Sequence, residues 1–268
     1  MVDEAFSSSR CAVVTDAGCD MAPELLEQLG VRCCSADPSA DELAGIYRQL
    51  LEQGANEVVS VHGAAAFKAA DKASCMVEGT VAAVDARFMS AGLALLVERS
   101  AHAAARGLSA AQIASLVDEL SEAMEMYVVL DFRAPFQRTG SLVDRLSYLR
   151  RRALAVRCLM RHDAHGSTLL ASSVDLTDLT GRVAHALGAR ARTEGALCYT
   201  NACNNAFDLY KLEKPFDTNE FVSHRLATFM PAPALAGYAG PSALAVAAVP
   251  ERVFGGHETA LFDAIQND

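Results

Sequence analysis

Apolar and polar positions in the first half of the chain follow two alternating patterns. Short apolar runs, typical of buried strands, are each followed by a stretch with the spacing of an amphipathic helix. The predicted strands are 12–15, 57–61 and 80–85, and the predicted helices are 23–29, 43–53, 65–76, 90–106 and 109–124. This alternation predicts a parallel sheet with right-handed crossovers. The strand residues expected to be buried on both faces are Val13, Val59, Val61 and Val84.

The pattern changes after residue 122. Strands are predicted at 127–132, 195–200, 225–230 and 243–249, helices at 179–192 and 207–212, and a hairpin from 155–161 and 167–173. Strands with helices segregated between them indicate an α+β arrangement. We therefore expect an α/β protein of two domains. Residues 1–122 should form a three-layer α/β/α parallel sheet, and residues 123–268 a two-layer mixed sheet.

Composition narrows the function. With 51% hydrophobic and 21% charged residues among 268, the chain is expected to be an ordinary folded protein. Its net charge of −10 argues against a nucleic-acid surface. Apolar stretches fall short of a membrane span, and the first residues lack the pattern of a signal peptide. A cytoplasmic protein with only transient membrane contact is expected.

The eight cysteines contain no C-x-x-C pair and have no histidines at zinc-site spacing. We interpret them as reduced thiols, with Cys33-Cys34 the only adjacent pair, and predict no metal site. Phosphate-binding, dinucleotide-binding, hydrolase and metalloprotease motifs are missing from the sequence as well. The pattern favours a binding protein without a cofactor over an enzyme.

Two strand-to-helix junctions carry the candidate chemistry. In each, an apolar run ends in an acidic residue, Asp16 or Asp85, and a small polar loop then opens a helix. Backbone N–H groups at helix starts face the carboxyl ends of parallel strands, where ligands bind in such sheets. Loops at this edge are therefore the candidate functional segments.

These segments resemble the DegV family. The similar motifs are Thr15-Asp16 with Asp20, Val84-Asp85-x-Arg87-x-x-Ser90-x-Gly92-Leu93, residues 127–131 followed by Arg138-Thr139-Gly140-Ser141-Leu142, and residues 237–244. They occur in the family's order over nearly the whole chain. The resemblance implies a two-domain bacterial protein that holds one long-chain fatty acid in a cleft between its domains. It also implies a partner, a fatty-acid kinase, to which the carboxylate is presented.

The resemblance also implies which residues bind the carboxylate. The family's Thr-Ser-Gln-Pro-Ser stretch corresponds to residues 35–39, where Ser35 replaces the threonine, after a deletion between Val31 and Ser35. Alternatively, Ser35 or Ser39 caps the next helix. The family's Ser-Gly-Thr corresponds to Lys68-Ala69-Ala70, so that Lys68 stands where a hydroxyl is expected. A lysine on a helix is also often merely solvated.

The carboxylate site expected from this correspondence consists of four residues, Ser35, Lys68, Ser90 and Gly92. The expected neighbours of the head group are His62, Arg138 and Tyr238. Ser141 and Tyr238 replace the family's arginine and histidine, which predicts poor activity in presentation to a kinase. Structural roles remain open for His62 and for the pair Asp85 and Arg87. A degenerate DegV paralogue acting as a regulatory or interaction protein is the alternative function.

Overall fold

A computed structural model describes residues 11–134, 149–218, 221–231 and 233–255. The side chains of residues 217 and 218 lie outside this description. The chain divides into two compact units between Glu122 and Ala123. Each unit has its own sheet.

The first unit is built on a four-stranded parallel sheet. Its strands are β1 (Cys11–Asp16), β2 (Val31–Cys34), β3 (Glu57–His62) and β4 (Thr80–Asp85), in the order β2-β1-β3-β4. Val13 lies opposite Val31 on one side and Val59 on the other, and Val61 lies opposite Val84. The predicted parallel sheet is confirmed. The short edge strand β2 was not predicted, because its four residues include an exposed arginine and lack an apolar run.

Among the described residues, five helices and one short turn connect or follow these strands. They are a 3₁₀ turn (Ala17–Cys19), α1 (Pro23–Gln28), α2 (Ala40–Glu52), α3 (Ala64–Ser74), α4 (Ser90–Ala105) and α5 (Ala110–Ala123). The side chain of Ser39 caps α2 by accepting from the N–H of Glu42. Ser109 and Gln112 form the capping box that the sequence predicts before α5.

Side chains on the first sheet pack against helices as the hydrophobic pattern predicts. Val14 and Val58 belong to a cluster with α2 and α3, and α4 packs against β1 and β3. Helix α4 has almost no polar face and is buried along nearly its whole length. The four valines expected in the core are all at most 4% exposed. Burying such residues supplies the main favourable term for folding.

The second unit is built on a six-stranded mixed sheet. Its strands are β5 (Glu125–Leu130), β6 (Arg157–Asp163), β7 (Gly166–Ser173), β8 (Leu197–Cys203), β9 (Ser223–Phe229) and β10 (Leu244–Pro250), in the order β7-β6-β5-β10-β8-β9. Only the pairing of β8 with β9 is parallel among these strands. The predicted hairpin is confirmed in β6 and β7, which join through Ala164 and His165.

The helices of the second unit whose bounds are described are α6 (Leu176–Glu194), α7 (Ala206–Thr218), α8 (Pro233–Ala239) and α9 (Glu251–Phe254), and residues 149–153 are also helical. Leu179, Val183 and Leu187 on α6 pack into one cluster with Tyr127 and Val129 of β5. The predicted α+β mixed-sheet fold is confirmed. Helix α8 was not predicted, because its seven residues include Pro233 and Gly237 and lack a helical repeat. No helix in the described ranges is long and apolar enough to cross a membrane.

Candidate functional site

The carboxyl ends of the four parallel strands meet at one edge of the first sheet. Strands β1, β3 and β4 end in Asp16, His62 and Asp85, and β2 ends in Cys34 just before Ser35. The loops that follow these residues form the candidate site, as the sequence predicts. This is the edge at which ligands bind in open parallel sheets.

Asp16 connects three parts of this edge. One of its carboxylate oxygens accepts from the N–H of Gly18 at 2.8 Å. The other lies 3.0 Å from Nδ1 of His62 and accepts from the N–H of Gly63 at 3.3 Å. Gly63 is the N-cap of α3, so Asp16 holds the start of that helix against the turn that follows β1. Asp16 therefore fixes the positions of the turn after β1 and the start of α3 relative to each other.

A buried chain of hydrogen bonds continues from His62. Its Nε2 lies 2.7 Å from Oγ of Ser60, which accepts from the hydroxyl of Tyr47 at 2.8 Å. A carboxylate can only accept, so Nδ1 of His62 carries a proton, and in the neutral imidazole Nε2 then accepts from Ser60. This assignment gives each proton an acceptor. It supports the structural interpretation of His62 over a head-group role.

The same residues have the acid–base–hydroxyl order of a hydrolytic triad. However, Ser60 and His62 are 0% exposed, and Ser60 Oγ already accepts from Tyr47. A substrate carbonyl has no access to this hydroxyl in the folded unit. The network of Asp16, His62, Ser60 and Tyr47 is therefore placed to stabilise the fold.

The loop after β4 is held by two separate contacts. Asp85 accepts from the backbone N–H of Arg87 at 2.8 Å. The guanidinium of Arg87 instead pairs with Glu122 on α5, at 2.8 Å. The interpretation of these residues as structural is supported, although the Arg87 ion pair is made with α5 rather than with Asp85. Arg87 has a φ of 60°, in the left-handed region.

Ser90 is the most unusual residue of the edge. It is fully buried at the start of α4, and its φ of 55° lies in the left-handed region that glycine favours. Its hydroxyl donates to Asp20, which is also buried and has a φ of 59°. Holding an ordinary residue in this region costs of order 1–3 kcal/mol, and such strain is concentrated at functional sites. The sequence analysis names Ser90 as a carboxylate-binding residue but does not identify Asp20 as its hydrogen-bond partner.

Gly92 lies in the first turn of the same helix. Its N–H donates to the carbonyl of Met89 at 3.2 Å, as does that of Leu93 at 3.4 Å. Met89 is the N-cap and provides no side-chain hydrogen bond. The N–H of Gly92 is thus engaged within the helix, and a carboxylate bound there would have to share it or replace the Met89 contact.

Ser35 and Lys68 are both exposed. Ser35 donates from its hydroxyl to Glu42 at 3.1 Å, and its N–H also donates to Glu42. Ser39 rather than Ser35 is the N-cap of α2, which decides between the two capping alternatives. In the order of the sheet, β2 and β4 are three strand spacings apart, roughly 14 Å. The hydrogen bond between Ser90 and Asp20 holds the segment after β4 close to the segment after β1.

Lys68 lies in the second turn of α3. Residues Ala66, Ala70 and Ala73 form the buried side of that helix. With 3.6 residues per turn, Lys68 lies on the opposite side. Its ammonium is therefore carried on the solvent face of α3, away from the alanines.

The expected head-group neighbours in the second unit are Arg138 and Tyr238. Arg138, like Ser141, lies outside the described residues. Tyr238 is half-buried in α8, and its ring contacts that of His162 edge-to-face at 5.9 Å between centroids. Burial raises the pKa of the Tyr238 phenol. This side chain is therefore neutral near pH 7.

In the second unit, a buried carboxylate, Asp131, follows β5. Arg133 binds both of its oxygens, at 3.0 and 2.9 Å, and also contacts Ser242. Burial acts to raise the pKa of Asp131, but the hydrogen bonds and charge of Arg133 outweigh it and hold the pKa below its usual value. A side chain at Gly240 would collide with Asp131, with 2.7 Å between the two Cβ atoms. Gly240 is thus the sequence feature that accompanies this close approach to Asp131.

Among the described residues, no group of three or more histidine, cysteine, aspartate or glutamate side chains is arranged to hold a metal ion. The edge offers a buried hydroxyl, a helix start and an acidic partner. These groups can hold a polar head group by hydrogen bonds.

Comparison with known proteins identifies the relatives of this chain. A DegV protein from Thermus thermophilus, described by its fatty-acid binding, is 16% identical, with a TM-score of 0.76 over 90% of this chain and 99% of its own. A stearic-acid-binding protein from Eubacterium ventriosum is 15% identical, with a TM-score of 0.72 over 89% of this chain and 98% of its own. A DegV protein from Corynebacterium glutamicum is 19% identical, with a TM-score of 0.75 over 89% and 97%.

These structures share the fold of this chain at low sequence identity. No curated protein sequence matches the chain. A family model described as "Uncharacterised protein, DegV family" matches residues 32–251, which is more than half of the chain. The chain therefore belongs to the DegV family.

Proposed function

We propose that this protein binds a single long-chain fatty acid and acts as its carrier. Membership of the DegV family supports this, as do similar structures described as fatty-acid-binding proteins. The observation that carries the proposal is Ser90, a buried hydroxyl held on a left-handed backbone at the start of α4. A group fixed in this way is prepared to hold a carboxylate.

The acyl tail and the carboxylate head group contribute differently to the free energy of binding. Burial of an acyl chain contributes about 0.8 kcal/mol per CH₂, or on the order of 12 kcal/mol gross for a sixteen-carbon tail. A charge-assisted hydrogen bond to the carboxylate contributes roughly 1.5–3 kcal/mol. The tail therefore dominates affinity and the polar contacts set orientation. Substitutions in the polar site can weaken presentation while leaving carriage intact.

The proposed carboxylate site centres on Ser90 and the α4 start at Gly92. For Ser90 to bind the ligand, its hydroxyl turns from Asp20 to the carboxylate. Ser35 would likewise release Glu42, and Lys68 would reach from the solvent face of α3. Ser35 and Lys68 are therefore proposed as weaker, peripheral contacts. The binding of the acyl chain between the two domains stays a prediction.

Native mass spectrometry of the purified full-length chain tests carriage directly. We expect a fraction of the protein to carry the added mass of one long-chain fatty acid. Fatty-acid titration of Ser90→Ala then tests the site. Its control is Ser100→Ala, which removes another fully buried hydroxyl from α4, one that donates to the carbonyl of Leu96 in its own helix. Equal affinities for the two variants would exclude Ser90 from the site.

We also propose that presentation to a fatty-acid kinase is poor. Lys68, Ser141 and Tyr238 stand where the family pattern has serine, arginine and histidine. A neutral Tyr238 cannot supply the positive charge that a phosphorylated head group favours. With a family kinase and saturating fatty acid, we expect slow acyl-phosphate formation. Turnover equal to that of a carrier with the unsubstituted motif would contradict this.

The alternative function is a regulatory or interaction protein without a lipid. It is favoured by the contacts of Ser35 with Glu42 and by the exposure of Lys68, because both leave the family's carboxylate clamp incomplete. The same mass spectra separate the two functions. A chain that stays empty in the presence of excess fatty acid would support the alternative and contradict the carrier.

A further inference from the structure

One buried hydroxyl of the first sheet has no hydrogen-bond partner among the described residues. It belongs to Thr15, the last residue but one of β1, which is 0% exposed. Most buried polar side chains have a partner, because a hydroxyl that leaves water without one loses free energy. A threonine hydroxyl kept in this position therefore indicates a partner from outside the described fold.

Thr15 faces the side of the sheet that α4 covers. Val14, its neighbour in β1, packs into the cluster with α2 and α3. Successive side chains of a strand point to opposite sides of the sheet, so Thr15 faces away from that cluster. Helix α4 packs against β1 and β3, and none of its described residues belongs to the Val14 cluster. It therefore covers the opposite side, toward which Thr15 points.

The start of α4 lies at the same end of β1 as Thr15. Ser90, the first residue of α4, donates to Asp20, which follows the turn after β1. This bond ties the helix start to the carboxyl end of β1, where Thr15 is the last side chain on the α4 side. Two buried hydroxyls, one from the strand and one from the helix above it, thus belong to one end of the sheet.

A buried carboxylate requires several hydrogen-bond donors. It can accept about four bonds, and an ionised group buried without them is strongly destabilised. Ser90 can provide one, but the N–H of Gly92 is engaged with Met89. In the described part of the first unit, the buried side-chain oxygens without a partner are Thr15 Oγ1 and Glu98 Oε2. Glu98 lies about 12 Å along α4 from Ser90, and its carboxylate has no proton to donate.

We infer that the hydroxyl of Thr15 is a second donor to the carboxylate of the bound fatty acid, from the strand side of the site that Ser90 and the start of α4 form. The inference rests on the proposed function and adds to it a residue of β1. Thr15 is covered in the structure, so the carboxylate reaches it once Ser90 has released Asp20 and the start of α4 has moved outward.

Thr15→Val tests the inference, because valine has nearly the same shape as threonine and lacks the hydroxyl. Fatty-acid titration should give an affinity about tenfold or more below that of the unsubstituted protein, the loss of one charge-assisted hydrogen bond. Binding of the uncharged methyl ester should weaken less. The urea midpoint should be unchanged or higher, because the fold as described loses no hydrogen bond.

Two further variants control for stability. Thr180 on α6 is also 0% exposed, but its hydroxyl donates to the carbonyl of Thr177 at 3.3 Å. Thr180→Val should therefore lose stability and keep its affinity. Thr15→Ser should keep the affinity of the unsubstituted protein, because it retains the hydroxyl, and should lose stability with the buried methyl group. Opposite effects of valine and serine at Thr15 are the result that a purely structural role does not give.

The outcomes separate this inference from the carrier proposal. If the unsubstituted protein binds a fatty acid and Thr15→Val binds it equally well, the role of Thr15 is refuted and carriage stands. If Thr15→Val fails to fold, or loses as much stability as Thr180→Val, the hydroxyl bonds within the fold and the inference is overturned. Absence of fatty-acid binding by the unsubstituted protein would refute both proposals.

Discussion

Asp16 and Asp20 are two buried carboxylates at the same edge of the first sheet, and they are held in different ways. Asp16 has an extended backbone, with a φ of −107°, and accepts from two N–H groups and His62. Asp20 has a left-handed backbone and accepts from Ser90, whose backbone is also left-handed. The first arrangement is relaxed and the second is strained.

This difference suggests different roles for two residues of one short loop: Asp16 stabilises the fold, and Asp20 belongs to the proposed ligand site. A relaxed, fully bonded carboxylate stabilises the fold, and its removal should destabilise the unit. A strained contact between two left-handed residues lowers stability, so its presence calls for another role, such as ligand binding. The substitutions below test this comparison, beginning with the largest expected effect.

Asp16→Ala should be the most destabilising change. It leaves the N–H groups of Gly18 and Gly63 and the imidazole of His62 without their shared acceptor. Removing one partner of a buried network costs about 3–5 kcal/mol of unfolding free energy. Urea denaturation measures the loss, with Asp37→Ala, at an exposed carboxylate, as the control. Equal stabilities for the two variants would show that Asp16 does not support the edge.

Of two substitutions at Ser90, the glycine variant should be more stable than the alanine variant. Ser90→Ala removes the hydrogen bond to Asp20 and should cost about 1–3 kcal/mol. Ser90→Gly removes the same bond but tolerates the φ of 55°. It should therefore be the more stable variant by roughly 0.5–1 kcal/mol, after the greater freedom of glycine in the unfolded chain is subtracted. Urea denaturation of both variants decides, and a glycine variant less stable than alanine would argue against strain at Ser90.

Tyr47→Phe should have a smaller effect that depends on pH. At pH 7 it removes one hydrogen bond to Ser60, at about 0.5–1.5 kcal/mol. Burial raises the pKa of Tyr47 to about 12, although the bond to Ser60 opposes this. The folded state thus keeps a proton that the unfolded state releases near pH 10, so stability is retained below about pH 10 and falls as pH rises toward 12.

Denaturation of Tyr47→Phe at several alkaline pH values tests this direction. The variant should lose stability less steeply above pH 10, about one proton fewer than the unsubstituted protein. Tyr127, whose pKa is also raised by burial, is present in both proteins and cancels in the difference. Parallel pH curves would show that Tyr47 does not titrate with folding.

The sequence predicted those parts of the fold that depend on a repeated pattern. Long apolar strands such as β3 and β4 and the capped helix α5 were predicted because each is specified by its own residues. The edge strand β2 and helix α8 were missed, because four and seven residues are too few for a repeat and only tertiary packing fixes them. The edge of the sheet at which motif spacing puts the ligand site stays a prediction.

Contacts within that edge were less accessible to sequence reasoning. The pairing of Ser90 with Asp20 and the chain from Asp16 to Tyr47 join residues far apart in sequence. No local pattern reports such pairs without the fold. The side of α3 that carries Lys68 could have been read from the spacing of Ala66, Ala70 and Ala73, which places the lysine opposite the buried face.

Lys68→Ala should therefore have the smallest effect, a slight loss of fatty-acid affinity. This variant tests whether the carboxylate binds near α3. An exposed ammonium contributes at most about 1 kcal/mol to an ion pair, because water screens it. Binding of a free fatty acid should weaken slightly, and binding of its uncharged methyl ester should not. Lys72→Ala, one turn later on the same exposed face, is the matched control for a change in net charge. If free acid and ester weaken equally, or if Lys72→Ala has the same effect, Lys68 lies outside the site. The head group would then be held from the α4 side alone, by Ser90 and the helix start at Gly92.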